Sequence, residues 1–110
     1  MPTLLIVHDD ELLVAQLREC MDGWTVGSTE HGDTAVAEAD AFDVVVVDVG
    51  RAPIDGWFVL ANLGSLEVRP QLVVVGSSKT ELRALRLGAL AVVQDVQQVG
   101  DVLLADLAVA

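Results

Sequence analysis

Apolar positions along the chain follow two alternating patterns: short unbroken runs, and longer stretches in which apolar residues recur every three or four positions. The unbroken runs are Leu4-Leu5-Ile6-Val7, Val44-Val45-Val46-Val47, Leu72-Val73-Val74-Val75 and Ala91-Val92-Val93, rich in β-branched side chains and too short for helices. A strand that is apolar at every position is buried on both faces, the condition of a strand inside a parallel sheet. The valine run closed by Asp48 is the strongest signal and is expected at the centre of the sheet. Trp24 to Thr29 is a weaker strand of small residues, expected near an edge.

Between these runs the period changes. Leu13, Leu17 and Cys20 recur at helical spacing from Glu11 to about Met21, and Asp22-Gly23 supplies a stop. Cys20 reads as a small apolar member of that stripe. His31-Gly32-Asp33 makes a turn before a short Ala-rich helix, Thr34 to Ala39. After an irregular loop marked by Gly50, Pro53 and Asp55-Gly56, the residues Trp57, Leu60, Ala61 and Leu63 outline a third helix, which Pro70 separates from the next strand. Thr80 to Leu87 forms a fourth helix that ends at Gly88, and Val99 to Val109 a fifth. Strand and helix alternate five times, which predicts a (βα)5 α/β architecture. With no linker and no low-complexity tract, residues 1–110 read as one domain.

Composition narrows the function classes. Six basic against 17 acidic residues give a formal charge of −11, which repels phosphate backbones and anionic lipid heads, so nucleic acid and membrane surfaces are not expected partners of this domain. No apolar run reaches the roughly 18 residues of a membrane span, and the start lacks a basic segment and an export cleavage pattern; a cytoplasmic location is expected. One cysteine permits neither an intramolecular disulfide nor a Cys-rich zinc site. Phosphate-binding GxxxxGK[ST], nucleophile-elbow GxSxG and zinc-helix HExxH patterns are all missing, and no enzymatic activity is expected.

In an open parallel sheet, ligands collect beyond the carboxyl ends of the strands. The residues there are His8, Asp9 and Asp10 after the first strand, Asp48 on the third, Gly76, Ser77 and Ser78 after the fourth, and Gln94 and Asp95 after the fifth. That set is acidic and contains no lysine. Crowded carboxylates repel one another unless a cation compensates, and Arg51 and Lys79 are the nearby candidates for neutralising the pocket from within. Asp9 and Asp10 also suit the positive end of the first helix, where carboxylates act as caps. Asp48 and His8 have plain structural alternatives, a strand-end carboxylate accepting loop N–H groups and an imidazole bonded to Asp48 or Asp9.

The run Leu4 to Glu11, the acid-ended strand Asp43 to Asp48, the Asp55-Gly56 pair seven residues past Asp48, and Gly88-Ala89 before the last strand together resemble a bacterial response-regulator receiver domain. The resemblance spans essentially the whole chain and implies a flavodoxin-like three-layer sandwich with a parallel sheet ordered 2-1-3-4-5. It makes Asp48 the phosphoacceptor for a partner histidine kinase, supported in the family by two acids that hold Mg²⁺, by a hydroxyl after strand four and by a lysine followed by proline after strand five. The chain departs from this pattern. His8 replaces the first acid while Asp9 keeps the second, leaving Asp9 and Asp48 as a weak metal pair. Gly76 stands at the hydroxyl position with Ser77 beside it. Asp95, or Gln94 with a one-residue slip, takes the place of the lysine, Val96 that of the proline, and Val92 that of the family's switch aromatic. An ionised Asp95 about 4 Å from a phosphoryl oxygen would cost about 4 kcal/mol at an effective dielectric of about 20.

The resemblance therefore implies an atypical, pseudo-receiver type: a two-component signalling domain with a degenerate phosphoacceptor pocket and no required cofactor. Such a domain binds a protein through the face built from the fourth helix, the fifth strand and the fifth helix. Leu82, Leu85, Leu90, Val102 and Leu103 supply that face, which the family also uses for homodimers. Two alternatives stand beside it: a working receiver phosphorylated on Asp48 with Mg²⁺, and a small enzyme or ligand-binding module using His8 as a base.

Overall fold

Successive side chains of a strand point to opposite faces, so a strand that is apolar throughout supplies two cores at once. The computed structural model, which describes residues 2–49, 55–66 and 70–103, shows this division. The elements in order are β1 (Thr3–Val7), α1 (Glu11–Cys20), β2 (Thr25–Thr29), α2 (Gly32–Glu38), β3 (Val44–Asp48), α3 (Gly56–Gly64), β4 (Gln71–Val75), α4 (Glu81–Arg86) and β5 (Ala91–Val93), with 3-10 turns at Ala39–Ala41 and Val96–Gln98. Residues 99–103 open a final helix, α5. Its expected extent to Val109, and the loop residues Gly50 and Pro53, lie outside the described residues.

All five strands are parallel and lie in the order β2-β1-β3-β4-β5, as the flavodoxin-like expectation requires. Leu5, Val7, Val45, Val47, Leu72 and Val74 pack against α2, α3 and α4 through Ala35, Val59, Leu60, Leu63 and Ala84. Leu4, Ile6, Val44, Val46 and Val73 pack against α1 and α5 through Val14, Leu17, Val99 and Leu103. The valine-rich β3 is central and the small-residue β2 is an edge, as their compositions predict. Cys20 is exposed at the end of α1, where the sequence stripe had placed it in the core; Met21, 4% exposed, fills that position instead.

Loop chemistry sets the helix ends. Gly88, with φ +104°, closes α4 in a Schellman arrangement in which its N–H reaches Leu85 O and the Ala89 N–H reaches Ala84 O. At the same amino-terminal edge of the sheet, Asp43 Oδ2 accepts from the Thr3 backbone N–H at 2.9 Å and ties the start of β3 to that of β1. Among the described residues, no helix is long and apolar enough to cross a membrane.

Candidate functional site

The carboxyl edge of the sheet is assembled by register. Val7 is paired with both Thr29 and Val47, so the next positions, His8 and Asp48, fall side by side on the face that carries Leu4, Ile6, Val44 and Val46. The His8 N–H continues the ladder by donating to Thr29 O at 3.0 Å, which fixes the backbone from which the imidazole projects.

His8 is the buried polar residue of the described chain, with its side chain 1% exposed; the side chains of Asp48 and Asp9 are 19% and 28% exposed. Its Nδ1 accepts the backbone N–H of Asp10 at 2.9 Å. A ring nitrogen that accepts carries no proton, so in the neutral imidazole the hydrogen sits on Nε2. Nε2 faces Asp48 Oδ2 at 3.3 Å, within ion-pair reach, yet it makes no hydrogen bond of acceptable geometry. The distance and the missing bond describe one contact: close, electrostatic and off-angle. Asp9 Oδ1 lies 3.7 Å from Nδ1, so the ring sits between two carboxylates.

Asp10 takes the capping role that its position before the first helix suggested. It is the N-cap of α1, where its Oδ1 accepts the Leu12 N–H at 2.9 Å and its charge meets the positive end of the helix. The Asp55-Gly56 pair also has a local cause. Asp55 caps α3 by accepting the Phe58 N–H at 3.1 Å, and a Cβ at Gly56 would lie 2.5 Å from Asp48 O and 2.7 Å from Val49 Cα. Only glycine lets α3 begin directly against the backbone that ends β3.

No family model matches the chain. It is 32% identical over 117 residues to a Pseudomonas aeruginosa PAO1 protein named "Putative transcriptional regulator", an alignment covering 99% of this chain and 56% of that protein; the chain thus spans about half the length of this curated relative. Among solved structures, the receiver domain of the Francisella response regulator 1452 superposes with a TM-score of 0.81 at 16% identity, over 100% of both chains. The CheY-like response regulator receiver domain protein of Methanospirillum hungatei JF-1 gives a TM-score of 0.81 at 17% identity, over 98% of this chain and 94% of that one. This is the response-regulator receiver fold.

The remaining strand-end positions of the receiver fold are occupied as follows. The Gly76 N–H donates to Val93 O at 2.9 Å, and a Cβ there would lie 2.6 Å from Thr80 Oγ1 and 3.2 Å from Val49 Cγ2. Thr80 donates its hydroxyl to Ser77 O at 2.8 Å and accepts the Ser77 N–H at 3.2 Å. A hydroxyl therefore stands beside Gly76 after all, supplied by Thr80. Sequence reasoning missed it; the Ser77-x-x-Thr80 spacing, which suits a turn closed by a hydroxyl, is the signal that carries it.

Asp95 is exposed, and its Oδ1 accepts the Gln97 N–H at 2.9 Å. Gln98 Oε1 accepts from the N–H groups of Gln94 and Asp95 at 2.9 and 3.1 Å, so both residues belong to the turn that follows β5. The sequence aimed the Asp95 charge at the pocket, whereas here it caps a turn in water, where a unit charge acts at about 1 kcal/mol over about 4 Å. Lys79 needs correction as an internal cation: it lines a groove with Trp57, Leu82, Arg83 and Arg86, and it pairs with neither Asp48 nor Asp9. Arg51 lies outside the described residues.

Mg²⁺, which the receiver fold implies, takes hard oxygen ligands in a near-octahedral array. Beside Asp48 and Asp9 the first acid's place holds an imidazole whose Nδ1 is occupied and whose Nε2 bears hydrogen. Among the described residues no three His, Cys, Asp or Glu side chains gather around a common ion position. Asp9 and Asp48 are the hard-oxygen donors among these three residues, and His8 is not one.

Proposed function

We propose that the chain is a receiver module of two-component signalling whose strand-end pocket is closed by its own histidine, and which acts by binding a protein partner without being phosphorylated. The observation that carries this reading is the buried His8 ring, 3.3 Å from Asp48 Oδ2. Phosphoryl transfer to an aspartate depends on positioning and on cationic neutralisation of the transferred group. Here a buried imidazole stands beside Asp48, where the receiver pattern has a hard-ion ligand. The partner face has apolar residues to offer: Leu82, Leu85 and Leu90 are 61%, 42% and 39% exposed, while Leu103 is 2% exposed and belongs to the core. A histidine kinase, a second copy, or the remainder of a longer regulator such as the Pseudomonas relative are the partner classes this face suits.

Two observations favour the working-acceptor alternative. Asp48 is 19% exposed, and the Thr80 hydroxyl stands on the Gly76 side of the edge. Incubation with Mg²⁺ and acetyl phosphate, followed by intact-mass measurement, separates the two readings. No gain is expected; a stoichiometric gain of one phosphoryl group that disappears in Asp48→Asn would overturn the proposal. His8 as a base on an external substrate has less support. A polar cleft of about 620 Å³ lies beside it between α1 and the end of β2, but neither ring nitrogen is open to that cleft.

A further inference from the structure

On the opposite side of the sheet from α1, the outer surfaces of α3 and α4 enclose a groove of about 520 Å³. Its apolar floor is formed by the half-buried Trp57 and Leu87, with the exposed Ala61 and Leu82 beside them, and Lys79, Arg83 and Arg86 complete its lining as a cationic rim. These are three of the six Lys and Arg residues of a chain whose formal charge is −11. Glu81, in the first turn of α4, does not line it. Among the described residues every ion pair involves a histidine, so the three cations have no carboxylate partner of their own. The Arg83 guanidinium lies 4.1 Å from the centre of the Trp57 ring, which holds one charge over the apolar floor.

An apolar floor with a cationic rim selects a ligand that is apolar along one side and anionic at its margins. We infer that the α3–α4 groove docks an acidic amphipathic helix of a partner protein, with an aliphatic or aromatic side chain on Trp57 and Leu82 and carboxylates on Arg83, Arg86 and Lys79. The rest of the surface decides against the polyanions that three basic residues would otherwise suit. A nucleic acid or an anionic membrane extends well past a groove made by helices of nine and six residues, and beyond the rim it meets a strongly acidic protein. A helix of two or three turns ends within the groove and presents its charge only where the cations are. The inference holds whether or not Asp48 accepts a phosphoryl group.

The test is selection from a display library of helices of about 11 residues, three turns, with Glu and Asp fixed on one face and the other face randomised. Enriched peptides are then titrated by fluorescence anisotropy against the full chain, and amide shifts are mapped by NMR. The expected result is enrichment of Leu, Phe or Trp on the random face and shifts centred on Trp57 and α4. Affinity should fall at least tenfold in Arg83→Glu and in Arg86→Glu, two exposed sites whose variants keep the fold by circular dichroism, and it should weaken as salt rises. The inference fails if no peptide is enriched, if shifts map to other faces, if the charge reversals leave affinity unchanged, or if single-stranded DNA or phosphatidylserine vesicles bind the groove more tightly than the selected peptides.

Discussion

The Nε2 of His8 stands 3.3 Å from Asp48 Oδ2 while its Nδ1 takes the backbone N–H of Asp10, so one buried ring bridges the third strand and the start of the first helix. Removing the ring leaves the Asp10 N–H without its acceptor and opens a cavity at the sheet edge. His8→Ala is expected to lower unfolding stability by about 2–4 kcal/mol, read as a shift of the urea midpoint at unchanged slope. His8→Asn, which keeps an acceptor in reach of the Asp10 N–H, should recover part of that loss. Equal losses in the two variants would mean that the ring acts by volume alone.

Replacing the imidazole by a carboxylate reverses the electrostatics of the same spot. His8→Asp places a third acid beside Asp9 and Asp48, so the variant should melt below the parent chain in EDTA. Mg²⁺ at about 100 times its dissociation constant should then stabilise it by about 2.7 kcal/mol, equivalent to a rise of about 10 °C in Tm. The parent chain, with its imidazole in place, should move by no more than about 1 °C in the same thermal-shift titration. A parent chain that responds to Mg²⁺ as strongly as the variant would show that the donor set has been misjudged.

At Gly76 the space a side chain would fill is already held by Thr80, whose Oγ1 lies 2.6 Å from a Cβ built there. Gly76→Ser, which restores the hydroxyl of the receiver pattern at its usual position, is expected to destabilise by about 1–3 kcal/mol through this crowding. Thr80→Ala in the same chain removes the obstacle, so the double variant should be more stable than the sum of the single changes by about 1 kcal/mol. A double-mutant cycle in urea measures that coupling, and strict additivity would contradict the contact.

How much of this was legible in the sequence depends on the range of the forces involved. Unbroken apolar runs at Leu4–Val7, Val44–Val47 and Leu72–Val75 fix buried strands because no other element buries both faces at that length, and the structure agrees to within a residue at each end. The side-by-side placement of His8 and Asp48 follows from strand register once the order of strands is known, and that order came from resemblance. The capping direction of Asp10 was legible from its place before the first helix, whereas the directions of Asp95 and Lys79 were not. Asp95 answers to the N–H group two residues ahead, at Gln97, whose orientation exists only after the turn has formed. Lys79 lies where the approach to α4 leaves the sheet edge and joins the groove over Trp57. Short polar side chains near helix starts satisfy local backbone before they reach a distant pocket, so charge counted at a strand end overstates charge delivered to the site.

The start of α3 offers the sharpest contrast between two adjacent residues. Asp55 contributes one capping bond, to the Phe58 N–H at 3.1 Å, in a partly solvated turn, so Asp55→Ala should cost about 1 kcal/mol. Gly56 contributes no bond, but a methyl group there would stand 2.5 Å from Asp48 O and 2.7 Å from Val49 Cα, and neither backbone atom can yield without moving the end of β3. Gly56→Ala should therefore cost about 3 kcal/mol although alanine is the better helix former. Because the obstructing atoms belong to Asp48 and Val49, the strain should also appear where Asp48 is read. NMR amide shifts of Asp48, Val49 and His8 are expected to change in Gly56→Ala and to stay near their parent values in Asp55→Ala. Equal stability losses, or shifts confined to α3, would show that the helix gives way and the strand end does not.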